Sequence, residues 1–315
     1  MENLLFSVNV VAPLFILMAA GYLARKISFV SSEFLSQMNR FVFQFLLPLM
    51  LFQDIRTTYK GDFSNTVLII YAVSGVIAVI ILTTIIIRLT VKKKGQQGSM
   101  IQGIYRSNFL IYGFPLAKAM YPDEAVTDIA MLMAIIIPLY NVAAVIVLTF
   151  HSEHNNEKIN PGKLLKDIVT NPLIIGSCLG LIFGAAHIKF VSFIEQPVNQ
   201  LACIATPLAL FVMGGEFHFS HLKHHYGKAV TATLARLVII PSTMLGVCIH
   251  AGFRGPELAV LVSLFATPTA VVSYIMADNM GNDGELSAQI VVLTTAASCL
   301  TIFLTVYFLR SLGYL

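Results

Sequence analysis

The sequence predicts an all-α membrane protein of ten transmembrane helices, and three observations carry that reading. First, apolar residues make up 57% of the 315 positions and charged ones 11%, with a mean hydropathy of +0.80. A soluble domain carries about 25% charged residues, so this chain has too few to cover a water-facing surface. Second, the apolar positions gather into runs at 4–24, 34–53, 66–87, 99–119, 125–150, 171–187, 193–213, 228–250, 256–277 and 286–310. Runs of about 20 residues match the thickness of a bilayer's hydrocarbon. Third, the runs lack the period-two alternation of barrel strands, and a helix satisfies its own backbone in lipid.

The first run follows Glu2 with no base before it, unlike the positive start of a signal peptide, and reads as a retained helix. Cys178, Cys203, Cys248 and Cys299 each lie in an apolar run at spacings that fit no metal motif. They are expected to be small buried residues without disulfides.

Lys and Arg in the loops set the orientation. Loops after odd-numbered spans hold Arg25, Lys26, Arg88, Lys92, Lys93, Lys94, Lys158, Lys163, Lys166, Lys223 and Lys228. The opposite loops hold Arg56, Lys60, Lys118, Lys189, Arg254 and Arg310. This bias of eleven to six places the odd loops in the cytoplasm and both termini outside the cell membrane.

The spans fall into two sets of five, 1–150 and 171–315, joined by a cytoplasmic loop at 151–170. Pro13, Leu14, Ile16 and Gly21 in the first span recur as Pro172, Leu173, Ile175 and Gly180 in the sixth. Pro48-Leu49 and Phe52 in the second recur as Pro207-Leu208 and Phe211 in the seventh, a shift of 159 residues in both cases. Leucine matches are cheap in apolar sequence, but two Pro-Leu pairs and a glycine share this register. Five is odd, so the second set must insert upside down, the inverted-repeat plan of many secondary transporters.

The fourth span contains Asn108, Gly113 and Pro115; its repeat partner, the ninth, contains Thr267, Pro268 and Thr269. Proline removes a backbone donor and clashes with the preceding turn, so both spans are expected to break, with Pro115 near Pro268. Paired interruptions in the two halves point to a midplane binding site, although a proline can also be a tolerated kink. Broken helices expose N-terminal N–H groups that favour an anion. Neither span carries a carboxylate near its proline, which argues against a cation as cargo.

These residues resemble the auxin efflux carrier family, which includes bacterial malate-permease-like members. Asn39-Arg40-Phe41-Val42 with Phe45, Pro48, Leu49 and Phe52 is similar to the family's second helix. Asn108 to Pro115 is similar to its N-x-x-x-x-G-x-P crossover segment, and Ala266-x-Pro268 followed by Ala277 to its second crossover. The resemblance covers nearly the whole chain. It implies ten helices in inverted five-helix repeats, with the broken fourth and ninth crossing at the substrate. It also implies a scaffold of spans 1, 2, 6 and 7, a moving body of spans 3, 4, 5, 8, 9 and 10, elevator-like transport, and a homodimer through the scaffold. Asn108, Pro115 and Pro268 carry over by motif. The sequence departs by lacking the long hydrophilic loop of plant members and by placing Arg106 two residues before Asn108.

Arg40, Arg106 and Arg236 lie inside apolar runs, where each costs about 2.5–3.5 kcal/mol unless it faces protein or water. Arg106 is read as a ligand for a second substrate carboxylate, or else as snorkelling to the surface. Arg236 has no evident partner in the sequence. Asn141 and Gln289 line the cavity or bond across helices. His218, His221, His224 and His225 have spacings that would suit a metal on one helical face, but a solvated loop accounts for them equally. Asp278 and Asn279 end the ninth span, as a gate, a coupling site or simple interfacial solvation.

The expectation is a secondary carrier of small mono- or dicarboxylates, coupled to a proton or to sodium. Arg106, Asn108, Gly113, Pro115, Asn141, Thr267, Pro268 and Thr269 are its candidate site residues. No cofactor, metal or nucleic-acid partner is expected. A membrane enzyme is disfavoured, since H-E-x-x-H, G-x-S-x-G and Asp-rich motifs are absent. A sodium-coupled bile-acid-like symporter of the same fold class and a transporter-like ligand sensor are the alternatives. The orientation is tested in a cysteine-free background with Asn156→Cys. An impermeant thiol reagent added outside is expected to miss it and to label cysteines placed at the termini; the reverse pattern overturns the topology.

Overall fold

The computed structural model describes residues 2–58, 65–121, 125–153, 162, 166, 169–216 and 222–315. Its regular elements are helices, and the one extended pairing among the described residues is an isolated antiparallel bridge between Ser107 and Thr269. Helix α1 is Glu2–Lys26; α2 (Ser32–Phe41) continues through a π-turn (Val42–Leu46) into α3 (Leu47–Thr58). Next come α4 (Thr66–Thr90), α5 (Lys94–Tyr105), a π-turn (Phe109–Gly113), α6 (Phe114–Met120) and α7 (Ala125–His151). The second half holds α8 (Pro172–Ala185), α9 (Ser192–Glu216), and α10 (Leu222–Leu234), which runs through a π-turn (Ala235–Ile239) into α11 (Ile240–His250). It ends with α12 (Gly255–Phe265), α13 (Val272–Asn279) and α14 (Gly284–Ser311).

Thr66–Thr90, Thr127–His151, Ser192–Glu216, His225–His250 and Gly284–Ser311 are long and apolar enough to cross a membrane. Phe109–Met120, Pro172–Ala185 and Gly255–Phe265 are apolar but shorter than the roughly 20 residues a straight span needs. α4 shows why lipid is the solvent. Its most apolar window has a mean hydropathy of 2.6 yet is only 28% buried, and Ile81, Leu82, Ile85, Ile86 and Leu89 face outward. Water does not tolerate an apolar face of that extent on a monomeric protein. α7 is the opposite, 72% buried across its apolar window, and forms the centre of the molecule.

The three π-turns share a local cause. Each is followed by an α-segment whose second residue is proline: Pro48, Pro115 and Pro241. A proline ring clashes with the carbonyl four residues earlier, here Gln44, Ile111 and Leu237, each inside its π-turn. Widening that turn removes the clash without ending the helix. Pro13, Pro138, Pro197 and Pro207 lie inside helices.

Two helix pairs are built on backbone-to-backbone approach. The space where Gly21 would carry a Cβ is filled by the Phe211 carbonyl of α9, and Gly180 faces the Phe52 carbonyl of α3 at 2.8 Å. These contacts exchange under the shift of 159 residues found in the sequence: Gly21 maps to Gly180 and Phe52 to Phe211. Small residues let membrane helices gain contact where lipid offers no hydrophobic drive.

Several expectations need correction. Cys178 and Cys203 are exposed on the apolar outer surface and Cys299 is half-buried; only Cys248 is buried, and all four thiols are free. Lipid accepts an outward thiol as readily as a core does. His218 and His221 lie outside the described residues. His225 contacts Gln96 at 3.4 Å and stands 3.8 Å from Asp283.

Substituting valine at Gly21 or Gly180 is expected to lower stability by about 1–3 kcal/mol or more, since backbone on both sides prevents relaxation. Gly246, with nothing within 4 Å of its would-be Cβ, is the control. Thermal unfolding in detergent checks this; equal melting of Gly180→Val and Gly246→Val contradicts it.

Candidate functional site

The chain breaks twice, and the breaks meet. Helical hydrogen bonding in α5 stops at Tyr105; Arg106 is extended (φ −83, ψ 103) and Asn108 has ψ 56 before the next turn begins at Phe109. α12 stops at Phe265 and α13 begins at Val272. Between them, Asn108 N–H donates to the Pro268 carbonyl at 2.7 Å and Ala270 N–H to the Arg106 carbonyl at 3.1 Å. The two interrupted segments thus form a short antiparallel pair at the centre of a helical bundle.

The break in the first segment lies at 106–108 and not at Pro115. Pro115 is the second residue of α6, which follows directly on the π-turn Phe109–Gly113. Pro268 acts directly. It has no N–H to give to Leu264, four residues back, so α12 ends with that carbonyl free.

In a low-dielectric interior each free carbonyl needs a donor. Arg236, 1% exposed, supplies most of them. Its Nε donates to Thr267 O (2.8 Å), one terminal nitrogen to Ile104 O (3.3 Å) and Tyr105 O (3.2 Å), and the other to Leu264 O (3.2 Å). One guanidinium therefore closes the C-terminal ends of both half-helices, where its charge also meets the negative ends of their dipoles. The Thr269 hydroxyl donates to Gly103 O (2.6 Å), and the Thr267 hydroxyl to Ser263 O (3.0 Å).

A cavity of about 50 Å³ opens beside the crossing. Arg106, Ser107 and Asn108 line it from the break, Tyr140 and Ile137 from α7, and Met50 and Leu51 from α3. Arg106 is 4% exposed, so it does not snorkel. It donates to Met276 Sδ (2.8 Å) and to Asn141 Oδ1 (2.6 Å), and among the described residues no carboxylate stands within ion-pair distance. Asn108, also 4% exposed, has an Nδ2 with no hydrogen-bond partner. The Ser107 and Tyr140 hydroxyls share a hydrogen bond at 3.1 Å.

Of the sequence candidates, Arg106 and Asn108 border this cavity. Asn141 stands behind Arg106, accepting from it and donating to Ser177 Oγ at 3.0 Å. Thr267 and Thr269 are fully buried and bonded to backbone, and Pro268 contributes its carbonyl to the pairing. Gly113 packs against the Phe109 ring and Ser263 O. Ser107, Tyr140, Met50, Leu51 and Ile137 were not among the candidates. Ser107 sits between two that were; Met50, Leu51 and Ile137 carry no polar signal that distinguishes them from core, and Tyr140 carries a polar group, its hydroxyl, that the sequence reading passed over.

Comparison with known proteins decides the class of this architecture. The profile of a family described as membrane transport protein matches residues 6–307. The chain belongs to that family. It is 23% identical over 304 residues to an uncharacterized transporter of Methanocaldococcus jannaschii, covering 94% of this chain and 96% of the relative. A putative malonate transporter of Rhizobium meliloti is 22% identical over 312 residues, 96% of each chain. Auxin efflux carrier component 8 of Arabidopsis thaliana is 21% identical over 324 residues, 86% of this chain and 88% of that one. Membership makes this a membrane transport protein, and its several long apolar helices fit a multi-pass one.

Arg236→Met is expected to abolish the folded state, since it leaves several buried carbonyls unpaired at about 1–3 kcal/mol each. Arg236→Lys is expected to fall between, because an ammonium lacks the planar fork. The monodisperse fraction after detergent extraction measures both. Wild-type behaviour of Arg236→Met refutes the role.

Proposed function

We propose that the protein is a secondary carrier of small organic anions and that the substrate carboxylate binds between Arg106 and Asn108. The observation that carries this reading is a buried guanidinium without a carboxylate partner beside a buried amide donor without any partner, both on one cavity. A buried charge is costly unless paired, so the site favours an anion. The segment that begins at Phe109 adds the positive end of its dipole, with Phe109, Leu110 and Ile111 on the cavity wall. Arg106 can take a second carboxylate, which makes dicarboxylates the preferred class.

The fold supports alternating access. About 50 Å³ is far below the roughly 300 Å³ of a ligand pocket, so in this reading the site widens to take its substrate. Met50 and Leu51 close it from α3, on the body we assign as scaffold. In this reading, residues 1–150 and 171–315 are inverted five-helix repeats around a cytoplasmic 151–170 loop. α1–α3, α8 and α9 form the scaffold and dimer contact, and the remaining helices slide as an elevator. The paired Gly21 and Gly180 contacts support the repeat.

Uptake into proteoliposomes tests the function, with binding followed by the rise in melting temperature that a native-state ligand causes. Asn108→Ala is expected to lose about one to two decades of affinity with melting unchanged. Asn108→Asp should lose more, because it sets a carboxylate against the substrate's own. Arg106→Gln should weaken dicarboxylates more than monocarboxylates. Wild-type affinity in Asn108→Asp at neutral pH sinks the site, and binding without flux makes the protein a sensor.

A further inference from the structure

Side-chain hydrogen bonds join α1–α3, α8 and α9 to the other helices at two places among the described residues. One is Asn141 to Ser177 at the site itself. The other is a cluster at the end of the molecule that the charge bias assigns to the cytoplasm. There Asn39 of α2 donates from Nδ2 to Asp278 Oδ2 (2.7 Å) and to the Tyr274 hydroxyl (3.5 Å). Its Oδ1 accepts from Asn279 Nδ2 at 3.1 Å. The Tyr274 hydroxyl in turn donates to Glu216 at the end of α9. Asn39 and Tyr274 are each 2% exposed, Glu216 is half-buried, and Asp278 is exposed at the rim.

We propose that this cluster is a proton-sensitive latch that ties α13 to the α2–α9 body in the state seen here. The inference rests on the carrier reading, because a latch has a purpose only where two bodies move. Three features support it. Asn39 has donor and acceptor both committed to α13, so separating the bodies strands a buried amide. The two acceptors that complete the cluster, Asp278 and Glu216, are carboxylates, the first exposed and the second half-buried. The carboxylate of Asp278 fills the space that a side chain on Gly284 would need, so the latch packs directly against the N-terminal end of α14.

The charged and titratable groups on the packed elements include Glu33 and Arg40 on α2, Arg25 and Lys26 ending α1, Lys94 on α5, Asp128 and His151 on α7, Glu216 on α9, Asp278 on α13, Asp283 capping α14, and Glu285 and Arg310 on α14. Among the described residues no cation stands within ion-pair distance of Asp278. An ionised carboxylate is the stronger acceptor for Asn39 and Tyr274. The latch is therefore whole above the carboxylate pKa values and weakens as pH falls through them. A proton taken up from the aqueous side neutralises Asp278 or Glu216, and the freed α13 carries the crossing with it, since the crossing lies at its N-terminal end.

Hydrogen–deuterium exchange of the full chain in nanodiscs tests this, with rates corrected for the intrinsic effect of pH and read over 272–279 against 66–90. Wild type is expected to exchange 272–279 about ten-fold faster at about pH 5 than at about pH 7.5, with 66–90 unchanged. Asp278→Asn should show the fast rate at both pH values. Asn39→Ala should match it, with melting temperature recorded to confirm folding. Wild-type protection in Asp278→Asn at about pH 7.5, or pH-independent wild-type rates, overturns the latch. Flux is measured separately in proteoliposomes; pH-dependent protection without flux leaves the latch standing and defeats the carrier reading alone.

Discussion

Everything at the centre of this molecule depends on Arg236 meeting the carbonyls that two broken helices leave behind. A break at membrane depth is costly because no water is there to replace the lost intrahelical bonds. Arg236 gives donors to Ile104, Tyr105, Leu264 and Thr267, while Thr269 takes Gly103. With those carbonyls satisfied, Asn108 N–H pairs with the Pro268 carbonyl and Ala270 N–H with the Arg106 carbonyl, while Thr269 N–H donates to Thr294 Oγ1. The π-turn before Pro241 sits on Arg236 itself, since Ala235–Ile239 contains it.

That solution separates two arginines with opposite duties. Arg236 is enclosed by acceptors and serves the backbone. Arg106 faces a cavity and holds a thioether and an amide, with no carboxylate near it among the described residues. The same residue type thus builds the crossing in one place and leaves charge available in the other. Asn141 connects the second to Ser177, so the cavity beside the crossing and the contact between the two helix groups share one hydrogen-bonded path.

Much of this was legible in the sequence. Low charge and apolar runs gave a membrane protein, and the family match over residues 6–307 agrees. The shift of 159 residues pairs Gly21 with Gly180 and Phe52 with Phe211, and in the structure each glycine lies against the carbonyl of the phenylalanine in the other set. Asn108 and Pro268 were singled out and do meet, through a 2.7 Å backbone bond. Pro115 was misread as the break, because a proline in a helix has two outcomes. It ends the helix, as at Pro268, or it widens the turn before it, as at Pro48, Pro115 and Pro241. Local sequence does not distinguish them; the choice depends on whether donors lie near for the freed carbonyls.

The sequence by itself determined the solvent, the class of element and the interruption at Pro268. Those follow from composition and from proline chemistry, which act within a few residues. Only the tertiary structure decided what Arg236, Arg106 and Asn39 do. Their partners lie at least 28, 35 and 235 residues away respectively. A buried polar group takes its meaning from which donors and acceptors surround it in space, and that is fixed only when the helices have packed.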